Sequence, residues 1–483
     1  MDIVTVFRRA ARRHGDRIFA FDVANEVTYS DAERRTDAIA AELVARGVGR
    51  GDPLGLAASD RVSLWLAIIG AWKAGALPSL IDARTGTDDL PYFVEDVGAP
   101  LVAAAPELHD SLVAAGAADI VDIDGLGSGS HGAITDLHGP DAPLYLSYTS
   151  GTTGVPKGAV LQSGPVTMGT ACIAERLRLH REDVLLATTP TSSSFQLVAA
   201  LMPALHVGAS IGLVAGCSTA QIWEVARRCA ATVLVAYPLT LADIVNSPQA
   251  TEAPSPFRIA MSGGSPLAPR VKRDYRRRLG IHLLESYGQS ELGGFMAFGS
   301  EDDGERSFAG YVGRPLPDRL AYVAAPSGDE LPGGEIGEVI VPRGYFSHYK
   351  NKRAKTTETL RGGVLHTGDL AVADPDGYLR VLGRTGEAER AGLRGGFLRE
   401  LEDAYYEHGA VLHATVVEGP DGEVEAFVEL TEEGGASTAE LEGFAAGRVP
   451  AGLTPQQTTV LDEMPRTFSG KADRRSLAAR VGA

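Results

Sequence analysis

"LSYTSGTTGVPKGAV", residues 146–160, concentrates hydroxyls and glycines around a single cation. Ser147, Thr149, Ser150, Thr152 and Thr153 surround Gly151 and Gly154, and Lys157 stands between Pro156 and Gly158. Glycines let backbone N–H groups converge, the hydroxyls add donors, and the lysine supplies positive charge. Together these suit a chain of phosphate oxygens. A Ser/Thr/Gly surface loop is the alternative reading of the stretch taken alone. The Walker pattern does not fit, because Gly154 precedes Lys157 by three residues and Gly158 occupies the place of the metal-binding hydroxyl.

Outward from this loop, strand-like and helix-like patterns alternate. "SDAERRTDAIAAELVARG" (30–47) has helical periodicity, a capping box from Ser30 to Glu33, and Gly47 where the helix should stop. "DPLGLAA" (52–58), "ATVLVAY" (231–237) and "GEVIVP" (337–342) read as strands. "PLAPRVKRDYRRRLG" (266–280) reads as a helix with a solvated basic face. The alternation predicts an α/β chain whose large N-terminal part has mixed, largely parallel sheets flanked by helices. At "VLGRTGEAERAGLRGG" (381–396), two Arg-Gly-rich turns separate a strand from a helix near Phe397. About a hundred residues follow, enough for a small α+β domain with its own core.

The 483 residues carry a formal net charge of −17, which argues against nucleic acid or an anionic membrane as partner. Cys172, Cys217 and Cys229 lie far apart with no ligand spacing, so the reading is a reduced, cytoplasmic protein without structural zinc. The most apolar run, "LWLAIIGAWKAGALPSLI" (64–81), contains Lys73 and Pro78 and reads as a buried helix leading into a strand. Arg8, Arg9, Arg12 and Arg13 sit on an amphipathic helix rather than a signal peptide.

"YTSGTTGVPKG" resembles the phosphate-binding signature of the AMP-forming adenylating superfamily: acyl-CoA synthetases, adenylation domains and luciferases. The resemblance continues in order through "SGGSPL" (262–267), "ESYGQSEL" (285–292), "VGRPLPD" (312–318), "GEIGEVIV" (334–341), "LHTGDL" (365–370), "LGR" (382–384) and "MPRTFSGKADRRSL" (464–477). It is most like an acyl-CoA synthetase. Such enzymes transfer a carboxylate onto the α-phosphate of ATP, release pyrophosphate, and pass the acyl group to a thiol.

The resemblance implies a nucleotide- and acid-binding domain over 1–383, a hinge at 384–386 with Gly386 at its pivot, and a mobile lid over 387–483. It places Thr149, Ser150, Gly151, Thr152, Thr153, Gly154 and Lys157 on the triphosphate. Gly263, Gly264, Ser265, Pro266, Ser286, Tyr287 and Gly288 fall around adenine, with Asp369 on the ribose and Arg384 close by. Ser290 would reach the α-phosphate, Glu291 would hold Mg2+, and Lys471 would bridge the acid and the α-phosphate. Ser193, Phe195, Tyr237 and Gly263 would line the acid pocket. Phe195 stands where amino-acid-activating relatives place an aspartate, so a free amino acid is not expected. Ser193 replaces a frequent histidine, which fits a bulky or unusual acid.

The implied cofactors are ATP, Mg2+ and coenzyme A, with a carrier-protein phosphopantetheine as the alternative thiol. The partner is a small-molecule carboxylic acid, and the sequence leaves a homodimer open. The segment 383–402 departs from the family at Gly386, Glu389-Arg390 and Leu393. The departure keeps open an enzyme running only one half-reaction. A non-catalytic nucleotide sensor is disfavoured by Glu291, Asp369, Lys157 and Lys471 together.

Overall fold

Short apolar strands alternating with helices build two large sheets in the computed structural model. It describes residues 1–129, 137–149, 156–252, 256–294, 296–316, 321–342, 346–419, 422–467 and 469–481. Among these the strands form four sheets. One holds a parallel run in the order Ile18–Phe21, Ser210–Leu213, Val184–Ala187, Val233–Ala236, Ile259–Ser262 and His282–Tyr287, with antiparallel strands at both edges. The strands Ser210–Leu213, Val233–Ala236 and Ile259–Ser262 are buried at every position, as expected where helices cover both faces of a parallel sheet.

The second sheet runs Ile120–Asp122, Leu101–Ala104, Pro53–Ala58, Leu77–Asp82 and Pro143–Thr149 in parallel, then Lys157–Gln162 and Phe346–Tyr349 antiparallel. Thr149 lies opposite Lys157 across the antiparallel pair. A four-stranded antiparallel sheet contains Leu365–Ala373 and Leu379–Arg384. A three-stranded sheet of Val411–Glu418, Val424–Leu430 and Gln457–Leu461 has its own apolar cluster around Leu401, Tyr405, Val416 and Leu441. The α/β architecture is as the sequence predicts.

The apolar run forms the buried helix Val62–Lys73 followed by strand Leu77–Asp82. Lys73, fully buried, meets Glu33 at 3.0 Å and Asp37 at 2.8 Å. Arg8 pairs with the same two carboxylates, so the first helix is anchored through its basic side.

Three local expectations are corrected. Helix Tyr29–Ala45 begins earlier than expected, because strand Glu26–Thr28 delivers Thr28 in extended conformation as the cap; its hydroxyl accepts the Asp31 N–H at 3.2 Å. Ser30 instead donates to the Gly15 carbonyl at 2.5 Å. Gly47, at φ +83°, does mark the stop.

The basic helix, Pro269–Asp274 continued by the wider turn Tyr275–Leu279, is not merely solvated. Lys272 is buried against Glu285 at 2.6 Å. Arg270 donates to the carbonyls of Tyr406 (2.9 Å), Val411 (3.1 Å), Gly409 (3.2 Å) and His408. Charge on this helix is spent on the last carbonyl of helix Leu398–Tyr406 and on the turn that leads from it into strand Val411–Glu418.

Lastly, the segment read as two turns holds a helix, Ala388–Arg394, with Gly395 at φ +77° ending it. Arg390 and Arg394 of that helix pair with Glu418, which explains why it forms despite its glycine. Leu393 is 82% exposed. Gly386 is exposed in a single turn, Thr385–Glu387, and an added Cβ there would meet nothing within 4 Å.

Candidate active site

Loops leaving the carboxyl ends of four adjacent parallel strands converge on one crevice, the usual ligand position in open α/β sheets. Strand Val184–Ala187 leads to Ser193–Phe195, Val233–Ala236 to Tyr237, Ile259–Ser262 to Gly263–Gly264, and His282–Tyr287 to Ser290–Glu291.

The acid-pocket candidates meet. Ser193 Oγ lies 2.5 Å from the Tyr237 hydroxyl, and the Phe195 and Tyr237 rings stack with centroids 5.5 Å apart. Gly263 is required by closeness: a Cβ there would stand 2.4 Å from Ser286 Oγ and 2.5 Å from the Phe195 ring. Burial pushes the Tyr237 phenol up to about 12, so it stays protonated.

Behind this loop stand two carboxylates that sequence reasoning missed. Asp60 accepts from the Thr191 backbone and hydroxyl, and burial raises it to about 6. Asp82 accepts from Ser192 and is gripped by Arg84 through two bonds of 3.0 Å. Neither is left open as a partner for an ammonium group.

Lys471 is brought to the same place from the far end of the sequence. Its ammonium sits 5.0 Å from the Tyr237 ring centroid. A Cβ on Gly264, which has φ +78°, would stand 3.2 Å from Lys471 Nζ. The residue keeps partial exposure, yet desolvation in this crevice lowers the amine to about 8. The turn carrying it is tight: the Thr467 N–H donates to the Lys471 carbonyl at 2.7 Å, and Gly470 adopts φ +91°.

Asp369 is 8% exposed and heavily bonded. The Tyr287 hydroxyl donates to it at 2.6 Å, Gln289 Nε2 donates to the same oxygen, and Arg384 pairs with the other at 2.8 Å. Burial nevertheless outweighs these partners and raises its pKa. Gln289 lies inside "ESYGQSEL" but was not singled out from the sequence.

Ser290 Oγ is 3.3 Å from both Ser147 Oγ, on strand Pro143–Thr149, and Ser194 Oγ, so hydroxyls from three separate elements face one another. The buried Glu291 accepts a hydrogen bond from Tyr349, and the ring of Tyr349 has the Lys157 ammonium 5.6 Å from its centroid. Tyr349 thus links the phosphate-loop lysine to Glu291, with no motif in its sequence neighbourhood to announce it. Ser150, Gly151, Thr152, Thr153 and Gly154, and the side chain of Thr149, lie outside the described residues. Ser265 and Pro266 lie in the loop after strand Ile259–Ser262, and Gly288 directly follows strand His282–Tyr287.

The pattern of AMP-binding enzymes matches residues 7–346, and that of the AMP-binding enzyme C-terminal domain matches 400–471. The chain belongs to the AMP-binding enzyme family. It is 33% identical to a sulfoacetate–CoA ligase of Cupriavidus necator over 349 residues, 70% of this chain and 67% of that protein. A feruloyl-CoA synthase of Amycolatopsis is 26% identical over 94% of both chains. The crystal structure of ATP-bound MatB from Rhodopseudomonas palustris superposes with a TM-score of 0.87, at 25% identity over 99% of both chains.

Proposed function

We propose that this family member is an AMP-forming acid–thiol ligase acting on a non-amino-acid carboxylic acid, with CoA as the thiol. The observation carrying the proposal is the seating of Lys471 over Tyr237 beside Gly264, in a crevice shared with Ser290 and Asp369. CoA ligases among the relatives support the class.

A carboxylate oxygen attacks the α-phosphorus of ATP, forming the acyl–O–P bond while the bond to the β-phosphate oxygen breaks and pyrophosphate leaves. Two anions are pressed together, so catalysis is positioning plus neutralisation of charge. Lys471, protonated below about pH 8, bridges the acid and the α-phosphate. Ser290 donates to the α-phosphate, Asp369 accepts from the ribose hydroxyls, and Lys157 with residues 149–154 holds the β- and γ-phosphates. In the second step the thiolate sulfur attacks the acyl carbon, forming C–S as AMP departs.

Glu291 offers one hard carboxylate oxygen set, oriented by Tyr349. That fits Mg2+, which takes one or two protein carboxylates and completes its shell with phosphates and water. Bound there, it would neutralise phosphate charge. Residues 1–383 would form the binding domain and 387–483 the lid, turning about Gly386 in 384–386 to admit the thiol.

A carboxylic acid panel graded in size, assayed for AMP release with and without CoA, tests the proposal. CoA-stimulated AMP release with at least one bulky acid is expected. Release only with amino acids, or only with a phosphopantetheinyl carrier as acceptor, would overturn it.

A further inference from the structure

Helix Pro238–Asn246 follows directly from Tyr237, and three of its surroundings belong to the end of the chain. Tyr237 itself lies under the Lys471 ammonium. Leu239, two residues on, packs in a cluster with Met464, Leu477, Val417 and Phe427. Asp243, a further turn on, accepts from Arg466 at 2.9 Å through one oxygen and from His413 at 2.7 Å through the other. His413 is fully buried and Arg466 and Asp243 are about one-quarter exposed.

Arg466 is part of the turn that presents Lys471. It pairs across that turn with Ala472, and Asp473 N–H donates to Pro465 at 2.8 Å. The turn is therefore stiff, and a grip at Arg466 sets where the ammonium stands. Leu239 and Asp243, four residues apart, share a face of this helix, and Tyr237 precedes it as the N-cap residue, so one element carries all three attachments.

We infer that Asp243 is a positioning residue for adenylation: by clasping Arg466 and His413 it registers the Lys471 turn on helix Pro238–Asn246. The inference rests on the adenylation role proposed for Lys471. Asp243 spends both carboxylate oxygens on His413 and Arg466 rather than on the crevice, and the clasp must open before the small domain can rotate. Its loss therefore harms the first half-reaction selectively.

Hydrogen exchange on the full chain, with ATP and Mg2+ as the only additions, reads the clasp without a known acid. In Asp243→Ala and in Arg466→Ala, amides of 464–472 should exchange at least tenfold faster. Strands Val411–Glu418 and Val424–Leu430 should stay protected, which shows the small domain folded, and Asp243→Glu should restore protection. With whichever acid of the graded panel supports ATP–pyrophosphate exchange, Asp243→Ala should lower that exchange 10- to 100-fold at little-changed KM for ATP. Capture of a supplied acyl-adenylate by CoA should persist. Unchanged exchange at 464–472, or equal losses in both half-reactions, would overturn the inference. A clasp response in a chain that activates no acid of the graded panel would instead overturn the proposed function and leave the clasp standing.

Discussion

Lys471 combines presentation on a tight turn with a lowered pKa, and the sign of its pH effect follows. Desolvation favours the neutral amine and brings the pKa down from its ordinary value to about 8. The ammonium is the form that neutralises the reacting anions, so pyrophosphate exchange should fall above pH 8, about tenfold per unit. A pH–rate profile of that half-reaction checks this; a flat profile to pH 10 would contradict it. Gly264→Ala should displace the amine, since the new Cβ would lie 2.7 Å from the Tyr237 ring and 3.2 Å from Lys471 Nζ at a backbone angle that disfavours alanine. A loss of at least tenfold in exchange is expected. Glu291, Asp369 and Lys471 were legible because each sits in a motif. Tyr349, Asp82 and Asp243 were not, because their roles arise from partners 58, 110 and 170 or more residues away.

The elements show where local pattern misleads. Ser30 and Glu33 have capping-box spacing, yet the strand before them decides where the helix starts, and Thr28 caps it. Arginines at helical spacing looked solvated, yet Arg270 satisfies four carbonyls between the end of helix Leu398–Tyr406 and the start of strand Val411–Glu418. A guanidinium serving carbonyls so placed makes charge-assisted bonds, so Arg270→Ala should weaken seating of the small domain by about 3 kcal/mol. Limited proteolysis between 384 and 398, faster in the variant at unchanged stability of the large domain, is the expected outcome. The turn Thr385–Glu387 has a complementary test. Gly386→Pro restricts it and disfavours the helical backbone of Thr385. Adenylation should persist while thioester formation from a supplied adenylate falls at least tenfold, measured as separate half-reactions.

Across the chain, the alternation of strands and helices was enough to predict largely parallel sheets, because strands covered on both faces read as continuous apolar runs. The arrangement of the two ends was not legible, since periodicity carries no information on which surface of the first 383 residues receives the last hundred. That reception is what brings Lys471 over Tyr237 and beside Gly264. Its functional meaning is tested by ATP–pyrophosphate exchange in the wild-type chain and in Lys471→Ala. Removing one preorganised charge of this kind costs about 3–4 kcal/mol of barrier. Exchange with a competent acid should therefore drop between 100- and 1,000-fold in Lys471→Ala, while conversion of supplied acyl-adenylate to the CoA thioester continues. Exchange at the wild-type rate in Lys471→Ala would contradict the account.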